Sequence, residues 1–511
     1  MSNKHSCLPA ASQDSEKPSQ RVLRNSLWMI AQPLLLNALS IVVIGYMTRV
    51  LGQADYGRFI FGFSFVAIFS SFTNLGLRAV TVREVAKHSS LPREFVDRIF
   101  TTRLILALLS ASVAVVAISL TSHDPGTKWV VCLASLTIVL QAVTTTFQDV
   151  FQARERMALV ASIQAASGLV LTAGSVVALI IGMRLKGVTA SYVLGGAFGL
   201  AVSWMWFVRD FQPPRWKVDV SDAWATICHA APFFVPLQLS IAGNKLAVVI
   251  LSSVSGYGAA GLFGAASGLV ERLSVIPDGI CSALYPAMAN SYSHDPDQAR
   301  RLFRQFFLYS LMLALPLAVG TTLLAPRILA LVYGAAFSEA AAVLRVLVWC
   351  LFISFLASVN GWTLLAIHRE RQDGVVKLAS TAVNVSLCIV LIPWYGERGA
   401  AWASLCAAGL DGVLLSVLIN RYLSVRILDI SQGLRVLAAT AVMAVACHLA
   451  RDLNVVVVIG VGIVTYFVAL VSSGILPKDE WRDVLEIFLG RRRVQLEADP
   501  EAIQPGVQIE Q

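Results

Sequence analysis

Glu271 and Arg272 stand side by side inside a long apolar run, where a charge is costly enough to mark function. Three further charges break such runs. Lys245 lies about six residues, or roughly 9 Å, from the outer end of one. Asp411 sits midway along another, and Arg78, with Asn74, closes a fourth at its inner end. Glu271 and Arg272 are roughly 20 Å along their helix at 1.5 Å per residue. Neighbouring helical positions point about 100° apart, so these two cannot satisfy each other. Each needs a partner from another helix, or water in a cavity. There the guanidinium would receive an anionic or hydroxyl-rich ligand, with Glu271 holding it in place or titrating. Lys245 either faces the same cavity or snorkels to the interface along its stem. Asp411 is a candidate for proton coupling or for a helix-packing hydrogen bond, and Asn74 and Arg78 are cavity or anchor residues.

Apolar helices must carry these groups. The chain has 511 residues, 57% hydrophobic and 14% charged, with a mean hydropathy of +0.70. Soluble chains average about 25% charged, and a transmembrane helix takes about 20 apolar residues. The composition excludes a soluble enzyme, a disordered chain and a secreted disulfide scaffold. It specifies an all-α polytopic membrane protein. Runs of spanning length occupy 27–48, 59–77, 104–122, 129–148, 158–182, 188–208, 226–251, 259–285, 305–325, 341–366, 375–393, 399–419, 436–450 and 454–475. That is about 14 transmembrane helices, the thirteenth the shortest. With the N-terminus inside, 29 of the 40 Lys and Arg residues fall in inside segments and 8 in outside loops. The positive-inside rule therefore selects an N-in/C-in topology. The net charge of +9 is spread along the chain rather than gathered for nucleic acid. The eight cysteines show no pairing or metal-ligand spacing.

The segments divide as follows. Residues 1–26 form a cytoplasmic lead-in, 27–208 a first lobe of six helices, 209–225 a linker, 226–420 a second lobe, and 436–475 two added helices. In the tail, 477–511, Trp481, Val484, Leu485, Phe488 and Leu489 make an amphipathic face beside Arg491, Arg492 and Arg493, suited to an anionic leaflet. Residues 494–511 are expected to be disordered. Pro33, Pro232, Pro236 and Pro277 should kink helices one, seven and eight.

The two lobes rest on internal repetition. Gly52…Gly57-Arg-Phe59 and Gly256…Gly261-Leu-Phe263 share one spacing. Leu39-Ser40-Ile41 recurs as Leu239-Ser240-Ile241, and Arg154-Glu155-Arg156 as Arg369-Glu370-Arg371. Parallel repeats of this kind place a cavity at their interface and let the lobes rock.

Several stretches resemble the Wzx-type oligosaccharide flippases of polysaccharide biosynthesis, within the superfamily of MATE drug exporters and the lipid II flippase. They are Thr48-Arg49-Val50-Leu51-Gly52…Tyr56-Gly57, Gly76-Leu77…Arg83-Glu84 and Gln152-Ala153-Arg154-Glu155-Arg156. The longest is Asn384…Leu391-Ile392-Pro393-Trp394-Tyr395-Gly396-Glu397-Arg398-Gly399-Ala400-Ala401. The resemblance implies a MATE-like fold and transport of an undecaprenyl-diphosphate-linked glycan across the bacterial inner membrane. It also implies membrane lipids as surroundings, and a polysaccharide polymerase and chain-length regulator as partners. No cofactor or metal is expected. Members often carry an acid in helix seven, where this chain has Asn244-Lys245. Arg272 and Lys245 would meet the diphosphate, while Asp411 or Glu271 would couple a proton. Lipid II as cargo and MATE-like export of small cations are the alternatives. Asn37, Asn360 and Asn384 are expected in interhelical hydrogen bonds, and Arg345 as an interface anchor.

Overall fold

The computed structural model describes residues 18–88, 92–213, 220–424 and 430–475, with side chains from Leu39 onward except those of 220–237, 239, 240 and a few scattered positions. The helices are α1 (Pro18–Ser70), α2 (Leu77–Lys87), α3 (Arg93–Ser119), α4 (Pro125–Ala153), α5 (Met157–Ile180), α6 (Arg184–Asp210) and α7 (Val220–Leu273). They continue with α8 (Val275–His294), α9 (Pro296–Tyr333), α10 (Ala341–Ala366), α11 (Glu370–Leu423), α12 (Ile430–Leu449) and α13 (Val455–Ser472). No strand occurs among the described residues. Among the described residues, eleven helices are long and apolar enough to cross a membrane. The tail from 477 and the lead-in before 18 lie outside the described residues, as do the side chains of Asn37, Pro33, Pro232 and Pro236.

Three of the helices are too long for one crossing. At 54 residues, α11 would measure about 81 Å if straight, against a hydrocarbon core of about 30 Å. It reverses instead at Gly396 (φ 55°, ψ −132°). Hydrogen bonds join its two arms in antiparallel register, from Gln372 to Tyr422 (2.6 Å) and from Asn384 to Ser404 (3.4 Å). α7 bends in the same way at Gly256 (φ 84°, ψ 172°), and α1 at Gly52 (φ 76°, ψ −179°). Such angles suit glycine, which has no Cβ to clash. The expected repeat thus has a backbone counterpart, since Gly52 and Gly256 adopt one conformation.

The two bends lie against each other. A Cβ on Gly57 would fall 1.7 Å from the Tyr257 carbonyl oxygen, and one on Gly261 2.3 Å from that of Gln53. Only glycine at both positions lets the backbones approach so closely. Around this crossing Thr48 donates to the Tyr333 carbonyl (2.9 Å), Arg49 to that of Leu331 (2.6 Å) and Gln53 to that of Ala336 (2.7 Å). Beneath them the largest core cluster joins α1, α7, α9, α10 and α11 through Met47, Tyr56, Leu251, Leu329, Leu344 and Ile392.

Several expectations need correction. The Arg154-Glu155-Arg156 and Arg369-Glu370-Arg371 match is out of register by two. The left-handed residues are Glu155 (φ 58°) and His368 (φ 59°), followed by equivalent bonds from Arg156 to Phe151 (2.9 Å) and Arg369 to Leu364 (2.8 Å). Turn geometry repeats here, while the shared letters are offset from it. The sharp bends in α1 and α7 fall at glycines, with helix continuing through Pro33, Pro232 and Pro236. At Pro277 the expectation is met, because the helix breaks at Ser274, near the carbonyl that proline cannot bond. The apolar runs understate helix length. α9 continues to Tyr333 and a 3₁₀ turn covers Ala335–Ala340, so most of the expected loop 326–340 is helical. The short thirteenth run, 436–450, is a helix from Ile430.

The described residues 430–475, with α12 and α13, belong to a compact unit of their own. These two helices pack with Gly462 of α13 against Cys447 of α12.

Candidate substrate cavity

A cavity of about 560 Å³ opens where α1, α7, α10 and α11 face one another, with Tyr192 of α6 at its wall. Lys245, Glu271, Arg272, Lys377 and Asp411 all line it. The bend at Gly256 brings Lys245, eleven residues before it, opposite Glu271, fifteen after it. Their side chains pair at 2.7 Å. Lys245 is therefore anchored to Glu271 across the hairpin.

Arg272 is held differently. Its Nη1 donates to the Gly268 carbonyl (2.5 Å) and its Nε to Ser40 Oγ (3.2 Å). Among the described residues no carboxylate lies within ion-pair distance of it. The expectation that Glu271 would hold Arg272 in place is thus wrong. Glu271 is turned away towards Lys245, as the 100° step between neighbours requires. One wall near Arg272 is aromatic. Tyr56 and Phe59 lie 6.3 Å apart, and Phe59 and Tyr192 5.4 Å, between ring centroids.

Asp411 accepts from Ser380 Oγ at a long 3.5 Å. It also borders a smaller cavity of about 360 Å³ with Glu370, Asp373 and Lys377. Lys377 grips both oxygens of Asp373 (2.7 and 2.8 Å). Lys377 lies close to the inner end of the run 375–393 and is one of the 29 charges counted as inside. It belongs instead to the cavity wall, because the α11 hairpin carries it beside Asp411. Asn384 meets Ser404 and also faces the main cavity, and Asn360 meets Ser416 (3.1 Å). Arg345 donates to the Thr322 carbonyl (3.3 Å) and is exposed.

Asn74 and Arg78 do not line this cavity. They border a cluster between α2, α3 and α4 whose centre is buried, with Arg78 exposed at its edge. At its centre Arg103 Nη2 pairs with Asp149 Oδ2 at 2.6 Å, the residues 1% and 3% exposed. Asn74 accepts from Arg103 (3.3 Å), and Arg78 reaches Asp149 (3.5 Å) and Gln152 (2.9 Å). Sequence reading missed Arg103 and Asp149 because each sits one residue outside an apolar run. The signal was their position, since helices extending past those runs bury both.

The fold is shared with solved transporters. Lipid II flippase MurJ, in an inward closed conformation, superposes with a TM-score of 0.66 over 91% of this chain and 100% of its own, at 14% identity. An inward-facing multidrug resistance MATE family transporter of the MOP superfamily gives 0.58 over 79% and 99%, at 13% identity. By sequence, the Shigella flexneri protein named "Putative O-antigen transporter" is 20% identical over 426 residues, 79% of this chain and 99% of that one. Residues 22–292, over half of the chain, match the family model for polysaccharide biosynthesis proteins. The chain belongs to that family, and its apolar helices are those of a multi-pass membrane protein.

Proposed function

We propose that the protein is a flippase, carrying undecaprenyl-diphosphate-linked oligosaccharide repeat units from the inner to the outer leaflet and catalysing no reaction. The observation that carries this reading is Arg272, a guanidinium that no described carboxylate neutralises, in the wall of a cavity built by α1, α7, α10 and α11. A diphosphate-sugar headgroup cannot cross hydrocarbon unaided, because each unmatched polar group costs several kcal/mol. A planar guanidinium can meet phosphate oxygens with two parallel hydrogen bonds. Lys245 becomes a second cation for the headgroup whenever Glu271 releases it, and Asp411 is the carboxylate best placed to couple a proton.

Alternating access follows from the bends. Dividing α1, α7 and α11 at Gly52, Gly256 and Gly396 turns eleven long helices into fourteen crossings, with both termini inside. The six-helix halves touch at Gly57 and Gly261 and would part there to release cargo outward. A polymerase and a chain-length regulator would take up the product.

Deletion of the gene should abolish one surface polysaccharide and leave its lipid-linked repeat unit accumulating inside. Arg272→Ala should insert and express normally yet fail to complement, while Arg272→Lys keeps part of the activity. Full complementation by Arg272→Ala at normal expression overturns the assignment of Arg272. Loss of repeat-unit synthesis in the deletion strain overturns the flippase reading.

A further inference from the structure

A second cavity, of about 490 Å³, lies within the N-terminal half, among α1, α4, α5 and α6. Its volume is that of a small-molecule site. Its chemistry is the opposite of the first cavity's, for none of its lining residues is charged. Gln141, Thr144, Thr145 and Gln148 reach it from α4, and Gln164 and Ser167 from α5. Lipid tails would leave such a set of amides and hydroxyls unmatched, at several kcal/mol each. A phosphate would find no cation there, and a metal or organic cation no carboxylate.

The hydrogen bonds narrow the ligand further. Thr144 spends its proton on the Leu140 carbonyl (2.7 Å), Thr145 on Ala142 (3.1 Å) and Ser167 on Ile163 (2.8 Å). Their oxygens therefore meet the cavity as acceptors. Gln164 donates to Gln148 at 3.2 Å, which fixes that amide pair across α4 and α5. Gln141 is exposed and offers both a carbonyl and an NH₂. A ligand rich in hydroxyl groups, each a donor and an acceptor, satisfies all of these without any charge. Tyr192 lines both cavities, so they meet at its ring.

Resting on the flippase reading, we propose that this neutral cavity is the sugar subsite, which takes uncharged sugar residues of the cargo while Arg272 holds the diphosphate. The subsite reads the glycan and the charged cavity reads the carrier lipid.

Binding to the full chain in nanodiscs tests this with two probes. One is the lipid-linked oligosaccharide recovered from the deletion strain; the other is undecaprenyl diphosphate without sugar. Gln141→Leu with Thr145→Val alters two exposed side chains one helical turn apart and leaves the packing intact. This pair should weaken binding of the glycosylated probe roughly tenfold, for two lost hydrogen bonds, and leave bare undecaprenyl diphosphate unchanged. Gln148→Leu with Gln164→Leu, which removes both members of the amide pair together, should act in the same way. Arg272→Ala should weaken both probes. If the glutamine variants weaken both probes alike, or neither, the subsite is wrong while the flippase reading stands. If the unmutated protein binds neither probe, the flippase reading fails and the subsite falls with it.

Discussion

Replacing Gly57 with alanine should wedge the two bends apart. The new Cβ would lie 1.7 Å from the Tyr257 carbonyl oxygen and 3.1 Å from the Gly261 nitrogen. Cβ contacts under 3.0 Å are essentially never seen, so the backbones must part by at least 1.3 Å. Both neighbours are backbone atoms and cannot rotate away as a side chain would. Overpacking of this kind costs about 1–3 kcal/mol. That cost falls only on the state in which the bends touch, so the balance should move about 5- to 150-fold towards the parted state. The assay uses a chain lacking its eight native cysteines, with Ser267→Cys in the main cavity as the reporter. An impermeant thiol reagent, added from the side that carries Gly52 and Gly256, should modify that cysteine faster when Gly57→Ala is present. Gly258→Ala is the control on the same turn, since a Cβ there meets nothing within 4 Å. An unchanged modification rate together with unchanged transport would refute the reasoning.

The buried Arg103–Asp149 pair should behave as a structural unit. Arg103→Met alone leaves a buried carboxylate with only the exposed Arg78 beside it and should cost up to about 3–5 kcal/mol, read as a lower thermal midpoint, whereas adding Asp149→Leu should restore most of it. Glu271→Gln breaks a partly exposed pair worth about 0–1 kcal/mol, so stability should barely change. Affinity for undecaprenyl diphosphate should rise as Lys245 is released, and a fall would count against Lys245 as a headgroup ligand. Asp124 caps α4 through the Thr127 hydroxyl (2.7 Å) and amide (3.2 Å). Partial burial pushes its carboxyl up, but those bonds and Arg58 outweigh it and hold the carboxyl below its ordinary range. Its stabilisation is then complete above the unfolded value near 3.9 and lost as pH falls through the folded one. Hydrogen exchange in the first turn of α4 should accelerate below about pH 4 in the native chain. Asp124→Asn, which keeps the cap, should remove that step, and an identical step in the variant would count against it.

The sequence alone determined what each stretch of chain becomes. Apolar runs of spanning length must form helices, because hydrocarbon leaves backbone polar groups no other partner. Bends at Gly52 and Gly256 were legible because a positive φ is a local demand that glycine meets. Glu271, Arg272, Lys245 and Asp411 stood out as costly charges, and all four do line one cavity. Which groups meet was decided only by the tertiary structure. Lys245 finds Glu271 through the register of a hairpin, and Arg103 finds Asp149 because two helices outrun their apolar runs. Lys377 turns from an interfacial charge into cavity wall for a similar reason. The neutral cavity of Gln141 and Gln148 carried no mark in the sequence at all. A single glutamine in a helix is cheap enough to pass unnoticed, and several become a site only when α4 and α5 are rotated to face one space. Helix formation depends on near neighbours in the chain, whereas pairing depends on how each helix is turned against the next.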